Sequence, residues 1–248
     1  MLPLFLLADS RLPSGGHGHS GGVEALVDRG LVRTAEDLAL FLEGRVRTGG
    51  RVVAAAAAAA CAVAAPPRCP ESHFQDTTRP ERGFQDTGDD AGWAPWDAAV
   101  SARTPSAALR AASRAQGAAL LRTVSLAFPT PAVAALRALP RVHHPLVLGA
   151  AAAAAGADPA QAAALAVHHL VGGAATAAVR LLGLDPLRVT AVTAAVARSA
   201  EPVAADAATL GCAAVAAGDP ALLPTEGSAL TDVLAELHRA SEATLFAS

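Results

Sequence analysis

Three short stretches in the second half of the chain repeat one pattern, in which a glycine is followed by an aspartate and then directly by a proline. These stretches are residues 156–159, 183–186 and 218–220. Glycine can end a helix in the left-handed conformation, aspartate can cap the next helix, and proline fits a first helical turn. The pattern therefore predicts helices separated by short connections, at about 145–155, 159–182, 186–199, 202–217 and 228–246.

The composition favours the same architecture along the whole chain. Hydrophobic residues make up 52% of the 248 residues, aromatic residues only 3%, and tyrosine is absent. Alanine therefore supplies most of the apolar content, and alanine is the best helix former and a poor strand former. We predict an all-α fold over residues 1–248, a single-domain helical bundle of about eight to ten helices with close contacts between small side chains.

The first half of the chain carries weaker helix signals. Thr34–Asp37 resembles a capping box, which predicts a helix that runs to about Thr48. Gly49-Gly50 is expected to end that helix, and a second helix is expected at 51–65, before two prolines. Thr104-Pro105 predicts a cap and a first-turn proline for a later helix.

Residues 66–92 differ from the rest of the chain because they are polar and rich in proline, glycine and charged side chains. Within them, the sequence Phe-Gln-Asp-Thr at 74–77 recurs at 84–87. A duplication in a polar stretch is typical of a surface insertion under weak constraint. We predict a disordered insertion here, and a docking role for a partner is the alternative.

Charge and cysteine content exclude several classes of function. The net charge is −3 and the pI is about 6.2, so the chain lacks the basic surface expected of a nucleic-acid-binding protein. Three cysteines without a C-x-x-C motif favour a reducing, cytoplasmic location. The stretch 159–179 is long enough to cross a membrane, but its alanines and its polar residues Gln161, His168 and His169 argue against a span.

The segment from Asp9 to Glu24 is unlike the alanine-rich remainder, because five glycines lie among two histidines and three serines. Glycine permits positive φ angles and close approach of another chain to the backbone. We interpret the segment as a rigid turn that allows close packing, with Ser20 as the cap of a following helix and Glu24 in its first turn. Phosphate binding is an alternative, although no Gly-Lys-Ser/Thr motif is present.

Histidines provide the candidate metal ligands. His17 and His19 make only half a metal site, and two further pairs occur at 143–144 and 168–169. Adjacent side chains on a helix point about 100° apart, so at most one member of each pair can face a given site. Caps or hydrogen-bonded core histidines are the ordinary interpretation; a nickel or zinc site formed by His17, His19, His144 and His168 is the alternative.

Catalytic candidates are weak. Ser14 and Ser20 are better explained as turn and cap residues, and no G-x-S-x-G elbow is present. Arg180 stands in a run of mostly small apolar residues, where an arginine must be paired, reach solvent or contact a partner. The sequence therefore predicts no catalytic residue, and we expect a chain that is not an enzyme.

Several of these segments carry a family resemblance. The motif Asp-Ser, Pro-Ser-Gly-Gly and His-Ser-Gly-Gly-Val-Glu within residues 9–24 resembles the N-terminal signature of the urease accessory proteins of the UreF type. Similar segments lie at 107–122, 144–149, 170–182 and 238–248. The chain departs from the family pattern after Leu182, where Pro-Leu-Gly-Gln-Thr is absent, and in the tail, where Thr244 and Ala247 replace the usual arginines.

The resemblance implies an all-helical, dimer-forming, non-enzymatic assembly factor that acts in the cytoplasm with a UreD/UreH-type scaffold and a UreG-type GTPase. That complex delivers nickel to apo-urease, so nickel and GTP are handled by the complex and no cofactor is expected on this chain alone. Residues 224–248 are expected to form a partner-docking helix or tail. The resemblance implies candidate partner contacts at Asp9, Ser10, Pro13, Gly15, Gly16, His19, Ser20, Gly21, Gly22, Glu24, Arg180, His238, Leu245 and Phe246. A histidine-based nickel or zinc carrier, or a metalloenzyme, is the alternative function.

Overall fold

The structure, a computed structural model, describes residues 2–14, 20–65 and 92–240. These residues form helices joined by short turns, and they contain no strand. In chain order the helices are α1 (Leu2–Ala8), α2 (Val23–Asp28), α3 (Ala35–Arg45), α4 (Arg51–Ala64), α5 (Ala94–Ala102), α6 (Ala107–Ala127), α7 (Pro131–Leu136), α8 (His144–Ala154), α9 (Pro159–Leu182), α10 (Pro186–Ala217) and α11 (Ala229–Arg239). The all-α prediction is confirmed.

Helix α4 lies at the centre of the bundle and packs against α8, α9 and α10. Its alanines from Ala54 to Ala60 are all buried. Glycines on the neighbouring helices let their backbones approach α4 closely. A Cβ atom added to Gly149 of α8 would lie 2.1 Å from the Ala57 carbonyl oxygen, and one added to Gly211 of α10 would lie 2.4 Å from the Ala55 carbonyl oxygen. The small side chains therefore set the helix separation in the core.

The three Gly…Asp-Pro stretches behave as the sequence predicts. Gly156, Gly183 and Gly218 all have φ between 63° and 81°. The aspartates that follow cap the next element: Asp158 Oδ1 accepts from Gln161 N at 2.8 Å, Asp185 Oδ1 from Leu187 N at 2.9 Å, and Asp219 Oδ1 from Ala221 N at 2.8 Å.

The predicted division of 186–199 from 202–217 is wrong, because α10 is continuous with Pro202 inside it. Pro202 is exposed, whereas Ala200 and Ala204 on either side are buried. Packing of both halves of α10 against the core therefore outweighs the lost backbone hydrogen bond at the proline.

The predicted interruption at Gly49-Gly50 is present as a kink one residue earlier, at Thr48. A π-helical turn over Val46–Gly50 lies between α3 and α4, which are two helices on either side of that kink. Thr48 departs from helical geometry there, and its hydroxyl donates to the Gly44 carbonyl at 3.0 Å. The number of helices in the described part of the chain agrees with the prediction of about eight to ten.

Two of the predicted caps have different outcomes. The capping box of Thr34 and Asp37 is present, and the Asp37 backbone N–H donates to Thr34 Oγ1 at 3.1 Å. Thr104 does not cap α6; its hydroxyl donates to the Val100 carbonyl at 3.0 Å. Ser106 caps α6 instead, because its Oγ accepts from Leu109 N at 3.2 Å.

Two helical segments are long and apolar enough to cross a membrane, Ala35–Ala64 and Pro159–Leu182. More than half of each apolar window is buried inside the protein, 61% and 56% respectively. Burial of this kind is typical of core helices. The predicted disordered insertion lies outside the described residues, apart from Gly92, and so do Leu245 and Phe246 of the tail.

Candidate functional site

A cavity of about 540 Å³ opens between the ends of α1 and α11 and the sides of α4, α6 and α9. It is the place where the structure brings predicted site residues together. The predicted residues that line it are Asp9, Ser10, Gly21, His144, His168 and Arg180. Gly15, Gly16, His17 and His19 lie outside the described residues.

Two histidines of α9 hold the C-terminal end of α1 at the cavity wall. His168 Nε2 donates to the Ala8 carbonyl at 3.3 Å, and His169 Nε2 donates to the Leu7 carbonyl at 2.8 Å. Burial is the main cause that lowers the pKa of His169. The last carbonyl groups of a helix have no partner within the helix, so these bonds satisfy groups that would otherwise be unpaired.

Asp9 closes the turn that follows α1. Its carboxylate accepts from the Arg11 side chain at 2.6 Å and from the Arg11 backbone N–H at 2.9 Å. The hydrogen bond from the Arg11 side chain is the main cause that lowers the pKa of Asp9 to about 2. Farther along, the carbonyl of Pro13 accepts from the Thr123 hydroxyl at 2.7 Å, which attaches this turn to α6.

The prediction that Ser20 caps the following helix is wrong. Gly22 is the capping residue of α2, in the left-handed conformation with φ 88°, and Gly21 has φ 63°. Ser20 is buried, and its Oγ accepts from Gly22 N at 3.3 Å. Two successive glycines complete a left-handed turn between the serine and the helix, which leaves Ser20 to close that turn. Glu24 is in the first turn of α2, as predicted.

Glu24 and His238 form a buried pair that joins α2 to α11. Glu24 Oε2 lies 3.2 Å from His238 Nε2, and the two residues are 4% and 2% exposed. Both residues were predicted to contact a partner. In the isolated chain they lie between helices, where they orient α11 beside the cavity rather than face solvent.

Arg45 is a cavity residue that the sequence analysis missed. Its Nη1 atom is buried, and no described residue is within hydrogen-bond distance of that atom. Burial lowers the pKa of Arg45 to about 10. The guanidinium lies 5.8 Å from the centre of the Phe41 ring, and a Cβ atom added to Gly21 would lie 3.0 Å from Nη1. Glycine at position 21 thus leaves room for the guanidinium.

The sequence did contain a signal for Arg45. It follows Leu38 by seven residues and Leu42 by three, so it continues the apolar face of α3. The reasoning applied to Arg180, that an arginine in an apolar setting needs a partner, applies equally to Arg45. Arg180 itself is exposed at the edge of the cavity.

The two C-terminal histidine pairs do not converge on a metal site in the described part of the chain. His143 is buried between Ser101 Oγ at 2.9 Å and Ser113 Oγ at 3.0 Å, and burial lowers its pKa to about 4. The rings of His144 and His169 lie 5.7 Å apart. No three His, Cys, Asp or Glu side chains group as metal ligands among the residues that the structure describes. The site that includes His17 and His19 stays a prediction.

Two short helices beside the cavity expose apolar side chains. Helix α1 exposes Leu2, Phe5 and Leu6, and α11 exposes Leu230, Val233 and Leu237. The α11 residues are spaced three and four apart, so they form one stripe, whereas Leu234, Ala235 and His238 are buried on the opposite side. Exposed apolar stripes of this kind are typical of protein interaction surfaces.

Comparison with known proteins identifies the family. The family model described as UreF matches residues 32–197. The urease accessory protein UreF of Mycobacterium sp. (strain JLS) is 41% identical over 245 residues, which cover 99% of this chain and 97% of that protein. Those of Mycolicibacterium vanbaalenii and Mycobacterium tuberculosis (strain ATCC 25177 / H37Ra) are 40% and 37% identical over the same coverage. The chain therefore belongs to the UreF family of urease accessory proteins.

Proposed function

We propose that this chain is a urease maturation factor that acts as a non-enzymatic adaptor in the cytoplasm. In this proposal it joins a UreD/UreH-type scaffold to a UreG-type GTPase, in a complex that inserts nickel into apo-urease. The observation that carries the proposal is the identity of 37–41% with urease accessory proteins along almost the entire chain. In this proposal the complex, rather than this chain alone, transfers nickel and hydrolyses GTP.

The surfaces of the molecule support an adaptor. An adaptor needs separate surfaces for at least two partners, and this chain offers a cavity together with the exposed stripes of α1 and α11. We assign the cavity to one partner and one apolar stripe to a homodimer or to the scaffold. Gly21 is partly exposed and lines the cavity, so a partner can approach its backbone there.

Co-expression with the urease genes of the same organism, followed by a pull-down, tests the proposal. The purified chain should hydrolyse neither GTP nor urea alone, yet it should co-purify with the GTPase and the scaffold. Recovery of the chain without either protein, under conditions where both are expressed, would contradict the proposal. So would urea or GTP turnover by the chain alone.

A matched pair of glycine variants tests the role of the turn. Gly21→Val and Gly218→Val place the same side chain at nearly the same backbone angle, φ 63° and 65°. No atom lies within 4 Å of a Cβ added to Gly218, whereas Gly21 faces the cavity. We expect Gly21→Val to abolish co-purification and Gly218→Val to retain it. Equal loss in both variants would assign the effect to general instability.

A histidine-based carrier for nickel or zinc is the second candidate, and the proximity of His144 and His169 is the observation that favours it. This function requires stoichiometric binding of Ni²⁺ or Zn²⁺ by the isolated chain, lost in His→Ala variants of His17, His19, His144 and His168. Calorimetric titration at micromolar metal measures it. The adaptor function instead expects no such binding.

A further inference from the structure

The cavity contains a positive charge, on Arg45, for which the described residues provide no counterion. Arg45 Nη1 is buried, and the described residues offer it no hydrogen-bond acceptor and no carboxylate within 4 Å. A guanidinium group remains protonated at neutral pH even though burial lowers its pKa to about 10. A buried charge without a partner is unfavourable, so a ligand that supplies a negative oxygen there gains a charge-assisted hydrogen bond.

The acidic residues that line the cavity make contacts with residues other than Arg45. Asp9 is paired with Arg11, and Glu226 Oε1 is paired with Arg51. Asp232 Oδ1 accepts from the Ser106 backbone N–H at 3.4 Å. None of these three carboxylates that line the cavity forms an ion pair with Arg45.

Arg103, another arginine that lines the cavity, has hydrogen-bond partners within the chain. Arg103 donates to the carbonyl groups of Ala99, Ala221, Leu223 and Pro224 at distances between 2.7 and 3.1 Å. Its guanidinium is a structural link between α5 and the segment that precedes α11. Among the described residues Arg45 makes no comparable hydrogen bond, and its guanidinium contacts only the face of the Phe41 ring, so a ligand could supply the acceptor that these residues do not.

A second unpaired atom in the same cavity indicates the chemistry of that ligand. Glu226 Oε2 is buried and also has no hydrogen-bond partner among the described residues. A ligand complementary to both positions carries a carboxylate for Arg45 and a hydrogen-bond donor for Glu226. A peptide segment with an acidic side chain provides both, because its backbone N–H groups are donors. An anion without a proton, such as chloride, provides only the negative charge.

We propose that Arg45 anchors an acidic side chain, aspartate or glutamate, from a peptide segment of the protein partner that enters the cavity. Glu226 Oε2 accepts a hydrogen bond from the backbone of the same segment. This inference rests on the adaptor function proposed above and assigns the chemistry of one of its interfaces. Gly21 is required because any side chain there approaches the guanidinium that the partner must reach.

The test compares Arg45→Met and Arg45→Gln with Arg47→Met. Arg47 lies two residues farther along the chain, in the turn Val46–Gly50, and is exposed, so its substitution removes the same charge away from the cavity. Thermal unfolding first identifies the variants that fold. The dissociation constant for the co-purified scaffold and GTPase is then measured by biolayer interferometry at fixed ionic strength. We expect both Arg45 variants to bind at least tenfold more weakly and Arg47→Met to bind within twofold of the unsubstituted chain.

Binding within twofold of the unsubstituted chain by a folded Arg45 variant would overturn the proposal. If the unsubstituted chain binds neither protein, the adaptor function fails, and a second measurement on the isolated chain decides the inference. Sodium acetate then serves as the carboxylate probe and sodium chloride at equal ionic strength as the control. A rise in Tm in acetate that disappears in Arg45→Met supports a carboxylate site, and no difference between acetate and chloride overturns it.

Discussion

At the scale of single residues, Glu24 and His238 form a direct contact between α2 and α11. Both side chains are almost fully buried, and they lie 3.2 Å apart. Removing one member of a buried ionic or hydrogen-bonded pair leaves the other without compensation, which costs far more than the pair contributes when intact.

We expect His238→Ala to lower the free energy of unfolding by about 3 kcal/mol, because it removes a buried side chain together with its contact to Glu24. Urea denaturation measures the change. Arg188→Ala is the control, since Arg188 and Glu36 form an exposed pair 3.4 Å apart whose loss should change stability by less than about 0.5 kcal/mol. If both variants lose a similar free energy of unfolding, the buried Glu24–His238 pair stabilises the fold no more than an exposed pair does.

His143 gives the fold a dependence on pH. Burial lowers its pKa to about 4 in the folded state, whereas an exposed histidine in the unfolded chain titrates near its ordinary value of 6.5. The unfolded chain therefore binds more protons between these values, and stability falls as the pH falls from about 6.5 towards about 4.

Between about pH 6.5 and about pH 4, the free energy of unfolding should fall less in the His143→Gln variant than in the unsubstituted chain, by up to about 3 kcal/mol. The reason is that the variant lacks the group whose pKa is shifted on folding. Urea denaturation at intervals between pH 4 and pH 7 measures it, and the comparison uses slopes rather than absolute stabilities. His169 also has a pKa lowered by burial, so a residual slope of the same sign is expected. An unchanged slope would contradict the assignment to His143.

At the scale of helices, the outcome of each sequence prediction depends on whether its signal is local. The Gly…Asp-Pro stretches were predicted correctly because a left-handed glycine, a capping aspartate and a first-turn proline act within a few residues. The division at Pro202 was predicted wrongly because packing of both halves of α10 against distant segments decides it. No local pattern reports such contacts.

The contact of α8 with α4 provides a test of the close-packed core. Gly149→Ala places a Cβ atom 2.1 Å from the Ala57 carbonyl oxygen, so α8 must move away from α4. We expect a loss of about 1–3 kcal/mol in the free energy of unfolding, measured by urea denaturation. Gly44→Ala in α3 is the matched control, because no atom lies within 4 Å of its added Cβ and alanine favours a helix by about 1 kcal/mol. Stabilisation by both substitutions would refute the close contact.

At the scale of the whole molecule, the region of the candidate site could be predicted from the sequence, whereas the contacts within it could not. Asp9, Ser10, Gly21 and Arg180 were named from a motif and from an arginine in an apolar run, and all four line one cavity. The Glu24–His238 pair was beyond sequence reasoning because more than two hundred residues separate its members. Only the folded chain brings α2 and α11 together.

The two exposed apolar stripes lie on the short terminal helices α1 and α11, whereas the long helices α4 and α9 are largely buried. The residues that stabilise the fold are therefore different from those available for association, because the residues of the α11 stripe contribute little to the core. Substitution on the stripe should therefore change the assembly of the molecule while leaving the bundle folded.

The double variant Leu230→Glu/Val233→Glu tests that separation, since it places two like charges in the middle of the α11 stripe. We expect the Tm of the isolated chain to fall by less than about 3 °C, because both side chains are exposed. Co-purification with the scaffold, or dimer formation measured by light scattering, should be lost because burying an unpaired carboxylate is unfavourable. Leu126→Glu/Leu187→Glu is the matched control, with the same charge added at two exposed leucines on other helices. If both double variants assemble normally, the α11 stripe is not an interface; if only the α11 variant fails, the apolar face of the last described helix is what joins this chain to another protein.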